Sequence, residues 1–430
     1  MLERLFKLKA HGTDLRTEVI AGFTTFLTMA YIIFVNPSIL AETGMDKGAV
    51  FVATCLAAAI GCLVMGIVAN YPVAQAPGMG LNAFFTYTVV LQMGHSWQVA
   101  LAAVFISGLC FILLSVLRVR EWIINSIPMS LRTGISAGIG LFLALIALQN
   151  AGIVVDHPAT LVALGDVTAF APAMAALGFF LTIGLVHRGL KGAVMIAILA
   201  VTVIGVVAGD VSYGGVMSAP PSLAPTFMQL DFSGALEVGL VSIVFAFLFV
   251  DLFDTAGTLV GVAQRAELLD KDGKLPRLNR ALLADSTATS VGALLGTSNT
   301  TSYIESVSGV ATGGRTGLTA VVVGILFLLA LFFAPLAGMV PAYATAGALF
   351  YVAILMMSGL VGINWRDLTE AAPVVVVCLL MPLTYSIASG IGLGFIAFCA
   401  VKTFAGKGRE VPVSIWILAG LFLLKFVFLV

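Results

Sequence analysis

The sequence predicts an all-α polytopic membrane protein, and three features of its 430 residues predict it. Hydrophobic residues make up 60% of the chain, against roughly 45–50% apolar in an average soluble domain, while charged residues make up only 10%. The 21 basic residues are cancelled by 21 acidic ones. Apolar runs of about 20 residues, the length of a bilayer-crossing helix, recur from one end to the other. These numbers exclude a water-soluble domain and a disordered chain. They also exclude nucleic acid as a partner, since no basic excess is present to neutralise phosphates. Cys55, Cys62, Cys110, Cys378 and Cys399 lie in apolar runs. An odd, scattered set of that kind reads as small hydrophobes, without disulfide or metal spacing.

In chain order the runs fall at 18–38, 50–70, 98–117, 131–149, 171–187, 190–209, 237–261, 281–296, 317–338, 343–361 and 371–404. The last is long enough for two spans and reads as broken around Ser389-Gly390. A final run, 412–430, carries Lys425 and fits either a span or an interfacial helix. Two further segments, 73–92 and 297–314, are interrupted by Gly, Pro, Asn, Thr and Ser. The expected count is about fourteen.

Loop charge orients the chain. Met1–Glu18 is polar and of mixed charge, with no signal peptide pattern, and Arg4, Lys7, Lys9 and Arg16 place the N-terminus in the cytoplasm. Asn150–Pro172 and Gly209–Glu237 contain no Lys or Arg and read as external. Arg118 and Arg120, then Arg188 and Lys191, fall in cytoplasmic turns, as does the basic loop Gln264–Arg280. Seven crossings then precede the second half, which starts from the opposite side. That is the arithmetic of an inverted-topology repeat, frequent in secondary transporters.

No Walker-type motif is present, which argues against ATP-driven transport, and no His pair or HExxH supports an enzyme. The four histidines lie at predicted span ends or in loops. The longest polar stretch, 264–280, is too short to fold alone. Nothing calls for a cofactor.

Irregular backbone at membrane depth survives only when buried in protein or lining a wet cavity, and paired interruptions in two halves mark a transporter's site. The first here is Gln75-Ala-Pro-Gly-Met-Gly-Leu-Asn-Ala-Phe-Phe85, and the second is Gly296-Thr-Ser-Asn-Thr-Thr-Ser-Tyr-Ile-Glu-Ser-Val-Ser-Gly309. Asn82 and Glu305 are 223 residues apart, close to half the chain. Between them, the run 237–261 carries Asp251 and Asp254, three apart and so on one helix face. An acid near the bilayer centre costs at least about 2.5–3.5 kcal/mol and is a functional candidate by default. Two acids with few intramembrane bases suggest that at least one carboxyl takes up a proton.

At these residues the sequence resembles the nucleobase–cation symporter-2 family, and within it the AzgA-like purine permeases. The resemblance spans the whole chain. It is carried by Glu18-Val-Ile-Ala-Gly-Phe-Thr-Thr-Phe-Leu-Thr28, Ala76-Pro-Gly-Met-Gly-Leu-Asn-Ala83, Asp251-Leu-Phe-Asp-Thr-Ala-Gly-Thr258, Tyr303-Ile-Glu-Ser306 and Gly313-Gly-Arg-Thr-Gly317. The resemblance implies fourteen spans in two inverted seven-span repeats, with short strands in spans 3 and 10 meeting at mid-membrane. It implies a core domain from 1–120 (spans 1–4) and 237–340 (spans 8–11), and a gate domain from 121–210 (spans 5–7) and 341–430 (spans 12–14). It matches Asp254, Thr258, Glu305, Tyr303, Asn82 and Gly80 to the substrate site, and Asp254, Glu305 or Asp251 to proton coupling. Thr258 stands where some relatives carry His or Asp. The implied function is import of adenine, guanine or hypoxanthine by proton symport across the cell membrane, by a protein that pairs as a homodimer in many relatives. An anion transporter of the same fold is the alternative, disfavoured because two carboxylates facing the site would repel an anion.

Overall fold

The computed structural model describes residues 2–116, 127–233, 238–268 and 275–428. The expectations for Arg118 and Arg120, and for the part of the basic loop at 269–274 that holds Lys271 and Lys274, lie outside the described residues.

In chain order the helices are α1 (Leu2–Phe6), α2 (Leu15–Met29), α3 (Ile32–Ala41), α4 (Lys47–Val64), α5 (Met79–Ala83), α6 (Trp97–Val116), α7 (Met129–Asn150), α8 (Phe170–His187), α9 (Ala193–Val207), α10 (Val238–Arg265) and α11 (Leu278–Leu295). They continue as α12 (Ser306–Ala311), α13 (Gly317–Ala330), α14 (Ala334–Met339), α15 (Ala342–Met357), α16 (Leu368–Leu383), α17 (Ile387–Phe404) and α18 (Val413–Phe428). The strands are β1 (Gln75–Pro77), β2 (Val154–His157), β3 (Leu161–Leu164) and β4 (Thr300–Ser302). Eight helical stretches among the described residues are long and apolar enough to cross a bilayer, and four shorter apolar helices join them. The protein is a multi-pass membrane protein, as its composition predicts.

Several details depart from the sequence reading. The first run is two helices, α2 and α3, broken at Ala30-Tyr31. The run 371–404 breaks at Thr384–Ser386 and not at Ser389-Gly390: Tyr385 takes a left-handed φ of 53°, and the Ser386 hydroxyl caps α17 by accepting from the Ser389 N–H. The segment expected as a plain external loop at 150–172 contains the β2–β3 hairpin. The 281–296 run is helix α11, whose first turn carries Arg280 and whose interior carries Asp285, Ser286, Thr289 and Ser290. Its hydroxyls are tolerated because it packs between α4 and α6 inside protein.

Both interrupted segments form strands, and the strands pair. β1 and β4 run antiparallel, with Gln75 opposite Ser302, Ala76 opposite Thr301 and Pro77 opposite Thr300. The ladder is prolonged at each end, where the Gly78 N–H donates to Asn299 O (2.9 Å) and the Tyr303 N–H donates to Ala74 O (2.9 Å). All six strand residues are buried. One half of the chain thus satisfies the exposed backbone of the other at a depth where lipid offers no hydrogen bonds. From β1 the chain turns at Gly78 into α5, which continues as π-helix through Phe84–Gln92. From β4 it passes through Tyr303–Glu305 into α12.

Two further joints fix this crossing. Buried Glu18 on α2 accepts from the N–H groups of Arg315 (2.9 Å) and Thr319 (3.1 Å) and from the Thr319 hydroxyl (2.5 Å). A carboxylate there suits the N-terminal end of α13. Small residues then let helices touch: an ideal Cβ on Gly22 would fall 2.6 Å from Val322 Cβ, and one on Gly317 would overlap the Gly66 carbonyl. At the Asn150 end of α7, the Asn150 amide donates to the Tyr87 hydroxyl (3.2 Å), which donates to Glu42 (2.8 Å), and Thr88 donates to Tyr385 O (2.8 Å).

Gly317→Ala forces backbone of α13 away from Gly66, so overpacking is expected to cost about 1–3 kcal/mol. A lower thermal midpoint of the purified protein in detergent checks this, with Gly338→Ala, whose Cβ meets nothing within 4 Å, as the neutral control.

Candidate functional site

The site grows from the crossing outward. Strand β4 presents Thr301 toward α10, where its hydroxyl donates to Asp254 Oδ2 (3.4 Å). Gly78 lies on the same side; a Cβ there would stand 3.7 Å from Asp254 Oδ2 and would overlap Thr301. Glycine at 78 therefore makes room for Thr301, with the Asp254 carboxyl close by. Glu305, the residue immediately before α12, accepts a hydrogen bond from the Tyr31 hydroxyl (2.6 Å). Tyr31 reaches it because span 1 breaks at Ala30-Tyr31. Asp254 and Glu305 are both half-buried.

The other expected site residues take distinct places. Tyr303 turns its hydroxyl onto Pro77 O (2.5 Å) and so locks β4 to β1. Asn82 on α5 accepts through Oδ1 from the Ser298 hydroxyl, and its Nδ2, fully buried, has no partner among the described residues. Gly80 faces Ile139 of α7, where a Cβ would come within 2.6 Å of the Ile139 side chain; its role is close packing. Thr258 is buried one turn after Asp254.

Asp251 and Asp254 share a face yet have different partners. Asp251, 1% exposed, accepts from Asn299 Nδ2 (3.1 Å), Thr289 (3.3 Å) and Thr255 (3.4 Å). Beyond it, Asp285 of α11, 0% exposed, accepts from Thr255 (2.9 Å) and from Gln75 Nε2 (3.1 Å). Sequence reasoning passed over Asp285, Thr255, Asn299 and Tyr31. For Asp285 a signal existed, an acid inside an apolar run. For Tyr31 none did, because its importance rests on a helix break.

Two half-buried carboxyls, an amide with an unmatched donor and two helix beginnings therefore converge on a strand crossing inside the membrane region. The two carboxyls offer acceptors to N–H donors, and the Asn82 amide offers a donor.

Comparison with known proteins decides the family. The profile of the "Permease family" matches residues 16–393. The chain belongs to this family. It is therefore a transporter and not an enzyme, as the sequence predicts. The permease is 52% identical over 429 residues to the adenine permease AdeP of Escherichia coli K12, covering 100% of this chain and 96% of that one. It is 47% identical over 440 residues to the guanine/hypoxanthine permease PbuG of Bacillus subtilis 168, covering 100% of both. Among solved structures, the transmembrane domain of the cyanobacterial bicarbonate transporter BicA superposes with a TM-score of 0.66 at 16% identity, covering 88% of the permease and 97% of that domain. At that identity the likeness shows the fold alone, and it agrees with the inverted repeat.

Asn299→Ala takes away a hydrogen bond to the Asp251 carboxyl, an interaction worth about 1.5–3 kcal/mol when the acceptor is charged. A matching fall in the unfolding free energy of the permease in detergent is the expected result.

Proposed function

We propose that this permease imports purine nucleobases, adenine, guanine or hypoxanthine, together with a proton. The observation that carries this reading is the placement of two half-buried carboxyls beside the β1–β4 crossing, Asp254 against Thr301 and Glu305 against Tyr31. A purine ring offers N–H donors that carboxylates accept well, and acceptors that the unmatched Asn82 amide serves. A site that leaves polar groups unpaired with the wrong ligand rejects it strongly. The names of AdeP and PbuG support the substrate class. Asp254 and Glu305 hold the base in this reading, Thr258 and Gly80 shape the pocket around it, and Tyr303 keeps the strands in register. The proton is taken up by Asp254, Glu305 or Asp251. The helices of 1–120 and 237–340 act as the core that carries the site, and those of 121–210 and 341–430 as the gate it moves against. The N-terminus lies in the cytoplasm, and two copies pair through gate helices, as resemblance to the family implies.

Uptake of radiolabelled adenine, guanine, hypoxanthine and sulfate, in cells that lack their own purine uptake, tests the function. Purine uptake that collapses with a protonophore is expected; uptake of sulfate alone would replace the reading with anion transport.

Glu305→Gln keeps shape but sets an N–H against the purine N–H. With charge-assisted bonds at about 1.5–3 kcal/mol, affinity is expected to fall about 10–150-fold. Wild-type affinity in a normally inserted variant removes Glu305 from the site. Orientation has its own test: cysteines placed at Gly215 and Asp272 are expected to label from opposite sides, Gly215 from outside.

A further inference from the structure

The strand crossing separates two sets of acids. Asp254 and Glu305 are half-buried on one side; Asp251 and Asp285 are fully buried behind it, and both stand as acceptors around the Thr255 hydroxyl. The Thr255 hydroxyl lies 2.9 Å from each oxygen of Asp285 and 3.4 Å from Asp251 Oδ1. A hydroxyl has one proton to donate and can serve one carboxylate at a time. A further proton on either carboxyl completes a continuous carboxyl–hydroxyl–carboxylate chain.

Two amides point to the same proton. Gln75 donates Nε2 to Asp285 (3.1 Å), and Asn299 donates Nδ2 to Asp251 (3.1 Å). Yet Gln75 Oε1 and Asn299 Oδ1, on fully buried side chains, have no hydrogen-bond donor among the described residues. An ionised carboxylate offers these amides acceptors only. A protonated one offers a donor, and an amide rotated by half a turn presents its oxygen where its nitrogen was.

We propose that Asp251, Thr255 and Asp285 together hold the coupling proton, with Asp285 passing its arrival to the substrate site. The inference rests on the proton-symport reading and adds to it a residence for the proton apart from the purine. Transfer is balanced within the chain of three. The O–H bond on Asp251 breaks as one forms on Thr255 Oγ, and the former Thr255 proton bonds to Asp285; one proton moves and none is lost. The consequence reaches the site because Asp285 touches both strands, through Gln75 of β1 and through Ser302 of β4 (3.3 Å). The groups around the pair include Asp251 from α10, Thr289 of α11, Gln75 and Ser302 from the strands, and the Cys62 thiol of α4, which contacts the Gln75 backbone. Ser107 of α6 contacts Asn299 at 3.4 Å, and Arg280 lies exposed more than a turn earlier on α11. Asp285 is a positioning residue, since it does not touch the proposed purine.

The test uses the full chain in liposomes under an inward pH gradient. With one proton per purine, one pH unit sustains at most about a tenfold accumulation. Asp285→Asn and Thr255→Val are expected to bring that ratio down to about one, while purine Kd and purine-for-purine counterflow stay at wild-type values. Thr255→Ser, which keeps the hydroxyl, is expected to accumulate normally. Thr255→Val keeps the branched shape of the side chain and both carboxyls, so it carries the test if Asp285→Asn fails to fold. Full accumulation in Thr255→Val, with an unchanged pH profile, overturns the inference and leaves proton symport standing. A wild type driven by a sodium gradient and not by a pH gradient overturns both.

Discussion

Everything distinctive in this permease depends on the hydrogen-bonded crossing of β1 and β4. Backbone N–H and C=O groups of an unwound segment cannot be left to lipid. Each unwound segment here is unviable alone, and each is completed by the other: Gln75 to Pro77 pair with Thr300 to Ser302, and Gly78 and Tyr303 extend the ladder with bonds to Asn299 and Ala74. The pairing joins positions more than two hundred residues apart, so the halves of the chain are bound by backbone as well as by packing. It also leaves Gly78 and Glu305 at the starts of helices that face the same region.

All six strand residues are buried, so the neighbouring helices come close to cover them. Glycines make that possible. Gly309 lies against the backbone of Ala21, Gly61 against the Gln75 side chain, and Gly22 against Thr319. Where side chains do intervene they are hydroxyls that bond back into the crossing, as Ser306 does to the Ala74 N–H (3.0 Å) and Thr289 to Thr300 O (2.9 Å). The polarity of α11 follows: a helix that looks too hydrophilic for a membrane is surrounded by protein.

How much of this the sequence disclosed follows from the range of each signal. Apolar length reports a span locally, so most helices were legible, and Gly, Pro and Asn at membrane depth exposed both broken segments. Acids on an apolar helix are just as visible, which brought out Asp251 and Asp254, while Glu305 stood out inside the second broken segment. Periodicity could place Asp251 and Asp254 on one face but could not say that β4 would divide them, one toward Thr301 and the other toward Asn299. Tyr31 stayed hidden because its run is uniformly apolar and its value comes from a break that only tertiary contacts fix. Gly80 and Tyr303 stood inside recognised motifs, yet the structure uses the first against Ile139 and the second against Pro77 O. A motif marks where a site is; only geometry divides its residues between ligand and scaffold.

The likeness to BicA sharpens that division, because fold does not imply function. Helix beginnings carry partial positive charge and unpaired N–H groups, so an unmodified crossing of this kind favours an anion. In this chain a carboxyl stands at each beginning: Glu305 directly precedes α12, and Asp254 stands against Gly78 at the start of α5. Each offsets the positive end it faces and adds acceptor oxygens. The two carboxyls thereby give the crossing acceptor oxygens where bare helix beginnings would offer only donors. Both carboxyls come from the second half of the chain, and one of them, Asp254, stands at the helix beginning that the first half supplies.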